Sequence, residues 1–349
     1  MPAWDAGRVE REVARLAERG LASYGLRVAA MERLGSAMPL DGWCFSTADP
    51  QSLVMTSHAT SGIDRSGSPL LYLNEYGERD VAKHDELARA SWPVRVLSEA
   101  TRGERERSPR YRSVLRPMGI EHELRAAVRE KGTTWGFLHL FRGLGHRDFD
   151  ADEAALVERF ARGLAPVLRD ALVGERASPT PASGRPALLM LDARNRLVEG
   201  SADGREWAAD LHDAELGDDA VPEVVVTLAI WARSLRAQGS DAVARARVPG
   251  ANGAWYTASA LCTDRDRVAV VLQPAQAAEL VSLMLSRFRF TRSERQITEL
   301  VLEGRSTKEI AEELVVSPHT VQDHLKAVFA KAGVRSRRDL VARLTGAVG

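Results

Sequence analysis

Residues 306–326 read STKEIAEELVVSPHTVQDHLK. Ser306 and Glu309 have the spacing of a capping box, in which the hydroxyl accepts the backbone N–H of Glu309 and the carboxylate reaches back to that of Ser306. Ile310, Ala311 and Leu314 then fall on one helical face. Val315, Val316 and Ser317 make a three-residue turn. Ser317 followed by Pro318 opens a second helix, because serine caps and the fixed φ of proline suits the first helical position. Val321, Leu325, Val328 and Phe329 form the buried stripe of that helix, and Gly333 ends it. His319, Gln322, Asp323 and Lys326 stand at i, i+3, i+4 and i+7 and share the outward face, with Thr320 beside them. Two short helices across a tight turn, the second polar on its outer face, make a helix-turn-helix. Its second helix has the size to enter the major groove of B-DNA.

The punctuation continues on both sides. Thr291 and Glu294 form another capping box, opening a helix to Glu303 with Ile297, Leu300 and Val301 inward and Gly304 beyond its end. Ser336 starts a last helix with Leu340, Val341 and Leu344 inward. The ordered motifs are Phe290-Thr-Arg-Ser-Glu-Arg295, Glu303-Gly-Arg-Ser-Thr-Lys-Glu-Ile-Ala311, Ser317-Pro-His-Thr-Val-Gln-Asp-His-Leu-Lys326 and Lys331-Ala-Gly-Val-Arg-Ser-Arg-Arg-Asp-Leu340. Over about 55 residues they closely resemble the C-terminal DNA-binding domain of the LuxR family (LuxR/NarL/FixJ type). The resemblance implies a four-helix tail that binds DNA as a dimer, its fourth helix often at the dimer contact. By position it gives Gln322, Asp323 and Lys326 to bases, and Lys308, Ser317, His319 and Thr320 to phosphates. Arg337, with Arg335 and Arg338, is divided between a phosphate contact and a solvated face. Glutamine suits adenine, lysine guanine, and aspartate the amino group of cytosine. Asp323 departs from family members that carry a second basic residue there.

Charge supports a local rather than a global polyanion contact. Lys+Arg and Asp+Glu both number 48 in the 349 residues. From Arg287 to Gly349 there are 12 basic and 8 acidic residues, a net +4 that leaves −4 on the remainder. This excludes a basic nucleic-acid coat and an acidic tail protein. Cys44 and Cys262 stand far apart, which excludes a disulfide framework or a C-x-x-C motif. The N-terminus shows no signal-peptide pattern, and the longest apolar stretch, about Val224 to Ala232, is too short to span a bilayer. The expectation is a cytoplasmic protein with no membrane contact.

The length suits two to three domains at roughly 150 residues each. The Pro- and Gly-rich segment 174–186 reads as a linker. Before it, helices near Val9–Leu16 and Leu26–Leu34 lead to strands at Gly42–Ser46 and Ser52–Thr60 around an Asp49-Pro50 turn. A helix follows at Pro69–Arg79, a short strand at Pro93–Leu97, a β-pair at Glu123–Val128 and Thr133–Phe141, and a helix at Asp150–Leu172. This α+β order resembles a GAF domain over about residues 25–172. After the linker, a hairpin across Arg194-Asn195, two helices and three strands, at Ala242–Val248, Ala254–Leu261 and Val268–Leu272, resemble a PAS-like domain. The division is therefore 1–173 for N-terminal helices and GAF-like domain, 174–186 linker, 187–273 PAS-like domain, 274–289 connecting helix and 290–349 DNA-binding tail. Leu280, Val281, Met284, Leu285 and Phe288 make a stripe on the connecting helix. That stripe suits a partner domain, a second copy, or the edge of its own sheet.

Trp43, Phe45, Tyr72, Trp135, Phe137 and His139 are candidates to line a ligand pocket in the first domain, set against plain core packing. His58, His84 and His139 lack metal-ligand spacing. No phosphate loop, nucleophile elbow or catalytic group stands out, so no enzyme activity, metal or cofactor is expected. The reading is a sequence-specific DNA-binding transcription regulator whose sensor-like domains dimerise or gate the tail. Its partners would be double-stranded promoter DNA, a second copy and, as a further candidate, RNA polymerase. The alternative is a regulator whose body is a protein-interaction platform with no small-molecule ligand.

Overall fold

The computed structural model describes residues 6–64, 67–173, 184–211, 221–250, 254–263, 266–288 and 290–345. Residues 174–183 of the expected linker lie outside them. The chain divides into one unit over Met1–Leu172 and Arg176–Pro274 and a second that includes Ala275–Gly349.

The first unit opens with α1 (Ala6–Glu18) and α2 (Ser23–Gly35), then β1 (Gly42–Ala48) and β2 (Met55–Ser61). Next come α3 (Ser68–Gly77), α4 (His84–Arg89), β3 (Val94–Val96), α5 (Leu97–Ala100), β4 (Ile120–Glu130), β5 (Thr133–Gly143) and α6 (Ala151–Val173). Asp150 caps α6 by accepting the Glu153 N–H at 2.9 Å. α4 carries no signal of its own, because six residues are too few to show a helical period.

The five strands form an antiparallel sheet in the order β2-β1-β5-β4-β3. Opposed residues on neighbouring strands point to the same side, so the register sorts the two faces. Trp43 and Phe45 oppose Leu140 and Leu138, which oppose Leu124 and Ala126. Arg27 of α2 donates to the Phe45 carbonyl at 2.8 Å, and a Cβ on Gly136 would meet Leu168 of α6 at 3.3 Å. The other face carries Cys44, Ser46, Glu123, Arg125, Phe137, His139 and Phe141. α4 covers part of it, with the His84 ring stacked on Phe137 at 3.7 Å between centroids.

The same unit holds a second sheet. Its elements are β6 (Ala187–Leu191), β7 (Leu197–Gly200), α7 (Ala202–Asp210), α8 (Glu223–Ala237), β8 (Ala244–Pro249), β9 (Trp255–Cys262) and β10 (Val268–Pro274). Its order, β7-β6-β10-β9-β8, repeats that of the first sheet. Leu189, Leu191, Val225, Leu228, Val248, Tyr256 and Val270 fill its core, joined by Val54 from the turn between β1 and β2. α8 also meets α3: Ile230 packs with Tyr72 and Met55, and the Trp231 and Tyr76 rings lie 6.3 Å apart. Nearby, Arg247 of β8 is buried against the carboxylate of Asp49, its backbone N–H donating at 3.2 Å and its Nε at 3.0 Å.

The second unit comprises α9 (Ala277–Ser286), α10 (Arg292–Leu302), α11 (Thr307–Glu313), α12 (Pro318–Ala332) and α13 (Arg337–Thr345). Every expected cap forms. Glu294 N–H donates to Thr291 Oγ1 at 3.3 Å, Glu309 N–H to Ser306 Oγ at 3.3 Å, and Thr320 N–H to Ser317 Oγ at 3.0 Å. Gly333 closes α12 at φ 65°, the left-handed conformation that glycine adopts without steric cost. The core is Ile297, Leu300, Val301, Ile310, Val321, Leu325, Val328, Leu340 and Leu344. Val281, Met284, Leu285 and Phe288 of the α9 region pack into that same core. The apolar stripe on the connecting helix thus belongs to the tail.

Candidate functional site

α11 and α12 meet across Leu314–Ser317, and the Val321, Leu325, Val328 side of α12 is buried. His319, Thr320, Gln322, Asp323 and Lys326 are all exposed, as the helical spacing requires. Asp323 sits at the centre of this face. Its Oδ1 accepts from Lys326 Nζ at 3.0 Å, and its Oδ2 lies 3.0 Å from His319 Nδ1. The Lys326 ammonium, with the His319 ring, holds the Asp323 carboxyl below its ordinary range. At the start of the helix the Ser317 and Thr320 hydroxyls are 2.8 Å apart and exposed. A helix N-terminus with hydroxyls beside it suits an anion. Lys308 on α11 is largely exposed, with Glu312 as a loose neighbour at 3.9 Å.

Arg337 sits differently from the other candidates. Its guanidinium donates to the carbonyl of Val301 at 3.3 Å and to that of Arg305, so it satisfies the end of α10. Lys331 likewise turns inward, its Nζ within 2.8 Å and 2.6 Å of the two Glu294 carboxylate oxygens. Glu294 thereby serves both the cap of α10 and an ion pair to α12.

The six pocket candidates of the first domain do not gather round one space. Phe137 and His139 share the polar face, whereas Trp43 and Phe45 point to the opposite face. Trp135 lies where the β4–β5 register shifts. Tyr72 is directed to His58, with Oη 3.4 Å from Nδ1, and packs on Ile230. The alternation of one strand was legible, but which neighbouring strand shares its face depends on register.

What occupies the polar face instead is a buried ionic cluster. Arg110 donates to Glu123 Oε2 at 2.8 and 3.1 Å and to Asn74 Oδ1 at 3.2 Å, and lies 3.4 Å from Asp80. Arg125 bridges Glu123 at 2.8 Å and Glu75 at 2.9 Å. Glu75 accepts the His84 backbone N–H at 2.7 Å, and the Nε2 atoms of His84 and His139 are 3.0 Å apart. Burial opposes ionisation of Glu75, but the His84 ring and the Arg125 guanidinium outweigh it and hold the carboxyl at about 2. Burial pushes His84 down to about 4 and His139 well below its ordinary value. Both rings are therefore neutral at pH 7. Glu123 and Arg125, two apart in the otherwise apolar run 123–128, were the available signal. Their partners, 13 and 50 residues away, gave none.

The pattern of the family described as "Bacterial regulatory proteins, luxR family" matches residues 289–344. The Spore germination protein GerE of Bacillus subtilis is 41% identical over 54 residues, which are 16% of this chain and 73% of GerE. A protein of Mycobacterium tuberculosis named "Putative HTH-type transcriptional regulator" is 41% identical over 88 residues, 25% of this chain. The chain spans only 10% of that relative's length. Among solved structures, the GAF domain of a phosphoenolpyruvate-protein phosphotransferase from Coxiella burnetii is 17% identical, with a TM-score of 0.35, over 48% of this chain and 94% of that one. The identity extends through most of GerE, the family pattern falls on the capped helices described above, and by these this chain belongs to the luxR family of bacterial regulatory proteins.

Proposed function

We propose that this chain is a cytoplasmic, sequence-specific DNA-binding transcription regulator. The observation that carries the reading is the exposed polar face of α12, held rigid by capped helices within the family-matched segment. Gln322, Asp323 and Lys326 meet base edges, and Lys308, Ser317, His319 and Thr320 meet phosphates. Arg337 reaches a phosphate only by giving up the carbonyls it holds. No helix among the described residues is long and apolar enough to cross a membrane. A net +4 is modest for a tail, so the active species is a homodimer on double-stranded promoter DNA, with RNA polymerase as a further partner. Residues 1–173 form a GAF-like and 187–273 a PAS-like domain that dimerise or gate the tail, with 174–186 as the linker between the two and 274–289 as the connecting helix to the tail.

A second reading is favoured by the ionic cluster. Arg110 and Arg125 fill the polar face of the first sheet with satisfied charges, which suits a body that binds a regulatory protein rather than a small molecule. DNA binding by the full chain and by residues 275–349, titrated against pooled genomic fragments at two salt concentrations, tests the main reading. Enrichment of particular fragments supports it, and the absence of enrichment by either form contradicts it. Tighter binding by the isolated tail identifies the body as an inhibitory gate. Tighter binding by the full chain identifies it as the source of the dimer.

A further inference from the structure

We infer that Asp323 and Lys326 read a single C·G base pair as one unit, and that Asp323 also repels α12 from DNA that lacks that pair. This inference rests on the DNA-binding reading above and deepens it. The two residues stand three apart on the exposed face of α12, with Oδ1 and Nζ 3.0 Å apart. An acceptor and a donor are thus presented side by side, one hydrogen bond apart. The major-groove edge of a C·G pair offers the complement: the N4 amino donor of cytosine beside the O6 acceptor of guanine, with guanine N7 next to it. The carboxylate takes the amino proton, and the ammonium spans O6 and N7.

An A·T pair also presents a donor beside an acceptor, but its flanks are wrong. Adenine N7 adjoins the amino group and would face the carboxylate, and the thymine methyl adjoins O4 where the ammonium must sit. The position of Asp323 between His319 and Lys326 fixes the order of the two groups along the helix, so the pair is read in one orientation.

The same charge pair explains how wrong sites are refused. Lys326 is the only cation among the three base-facing residues, and Asp323 cancels it. The attraction for phosphates must then come from elsewhere in the tail. The pair is exposed in the free protein, where such contacts are weak and open readily. Once α12 enters the groove, water leaves, and a carboxylate that meets no amino donor is left as an unpaired charge among phosphates.

The test uses the full chain, with Asp323→Ala, Asp323→Asn and Lys326→Met variants. Both positions changed are on the exposed face, and circular dichroism verifies the fold. Sites are selected from a random duplex pool for each protein. Affinity is then measured for the selected site, for the same site with the C·G pair replaced by A·T, and for unselected DNA. The wild-type sites should share a C·G pair in fixed orientation, and its replacement should weaken binding by about tenfold or more. In Asp323→Ala that preference should shrink to less than about threefold, while affinity for unselected DNA rises about three- to tenfold. Asp323→Asn should lose the repulsion and keep part of the preference, since its amide oxygen still accepts. Lys326→Met should lose the guanine contact and bind all sequences more weakly. If Asp323→Ala discriminates as well as wild type, the inference is overturned while DNA binding stands. If wild type and variants alike fail to bind any duplex, the DNA-binding reading itself is overturned.

Discussion

Val315 sits at the turn between α11 and α12 with φ 56°, the left-handed region that a β-branched residue enters only at a cost. It is 89% exposed, so no packing offsets the strain. The turn needs that conformation because it lets the Val316 N–H return to the Ala311 carbonyl at 3.0 Å. Val315→Gly should therefore stabilise the helical unit by about 1 kcal/mol, read as a higher urea midpoint with unchanged slope. An unchanged or lower midpoint would refute the strain. The sequence places a turn at 315–317 through the cap at Ser317. It does not say which residue takes the left-handed position, because no glycine marks it.

Among elements, the contrast is between local and distant pairing. The helices of the tail were legible almost residue by residue, since each cap joins groups three apart. The exposed face of α12 follows from the same period. The polar face of the first sheet was not legible, because Arg125 acts on Glu75 fifty residues earlier. That distance also shapes its energetics. Arg125→Met would leave Glu75 and Glu123 buried with one cation fewer, and should cost about 3–5 kcal/mol of unfolding free energy in denaturant melts. A loss below about 1 kcal/mol would mean that water reaches the cluster.

The cluster also sets an acid limit. A histidine in the unfolded chain titrates near its ordinary 6.5, whereas His84 in the fold does so at about 4. The unfolded state binds more protons between those values, so stability falls as the pH drops through that window. Glu75, at about 2 against an ordinary 4.5, extends the loss to lower pH by the same sign. Thermal melts of the full chain should be highest near neutrality and decline steadily below about pH 6.5. A melting temperature constant from pH 7 to pH 4.5 would show that the rings are hydrated.

At the scale of the molecule, the two sheets share one strand order although no repeat is visible in the residues. Their cores are filled by different side chains, so the period of the sequence carries no trace of it. Strand positions were nonetheless legible from turns and apolar runs. What was hidden is the fastening between the two sheets, because Asp49 and Arg247 are 198 residues apart. Both are buried, so Asp49→Asn removes the carboxylate charge that Arg247 meets on the first sheet. Differential scanning calorimetry should then show residues 1–274 melting in two transitions, the second sheet first, where the unaltered chain shows one. One undivided peak would assign the coupling to the apolar contacts of α3, α8 and Val54.

The shared order has a genetic corollary. In each sheet the first strand lies beside the last: Gly42 pairs with Phe141, and Ala187 with Leu272. Each sheet thus begins and ends on two adjacent inner strands, about one strand spacing of roughly 4.8 Å apart. A segment with adjoining ends can be excised, duplicated or spliced into another gene without stretching its neighbours. Regulators of this build can therefore gain or lose a whole sheet by recombination while the helical tail stays untouched.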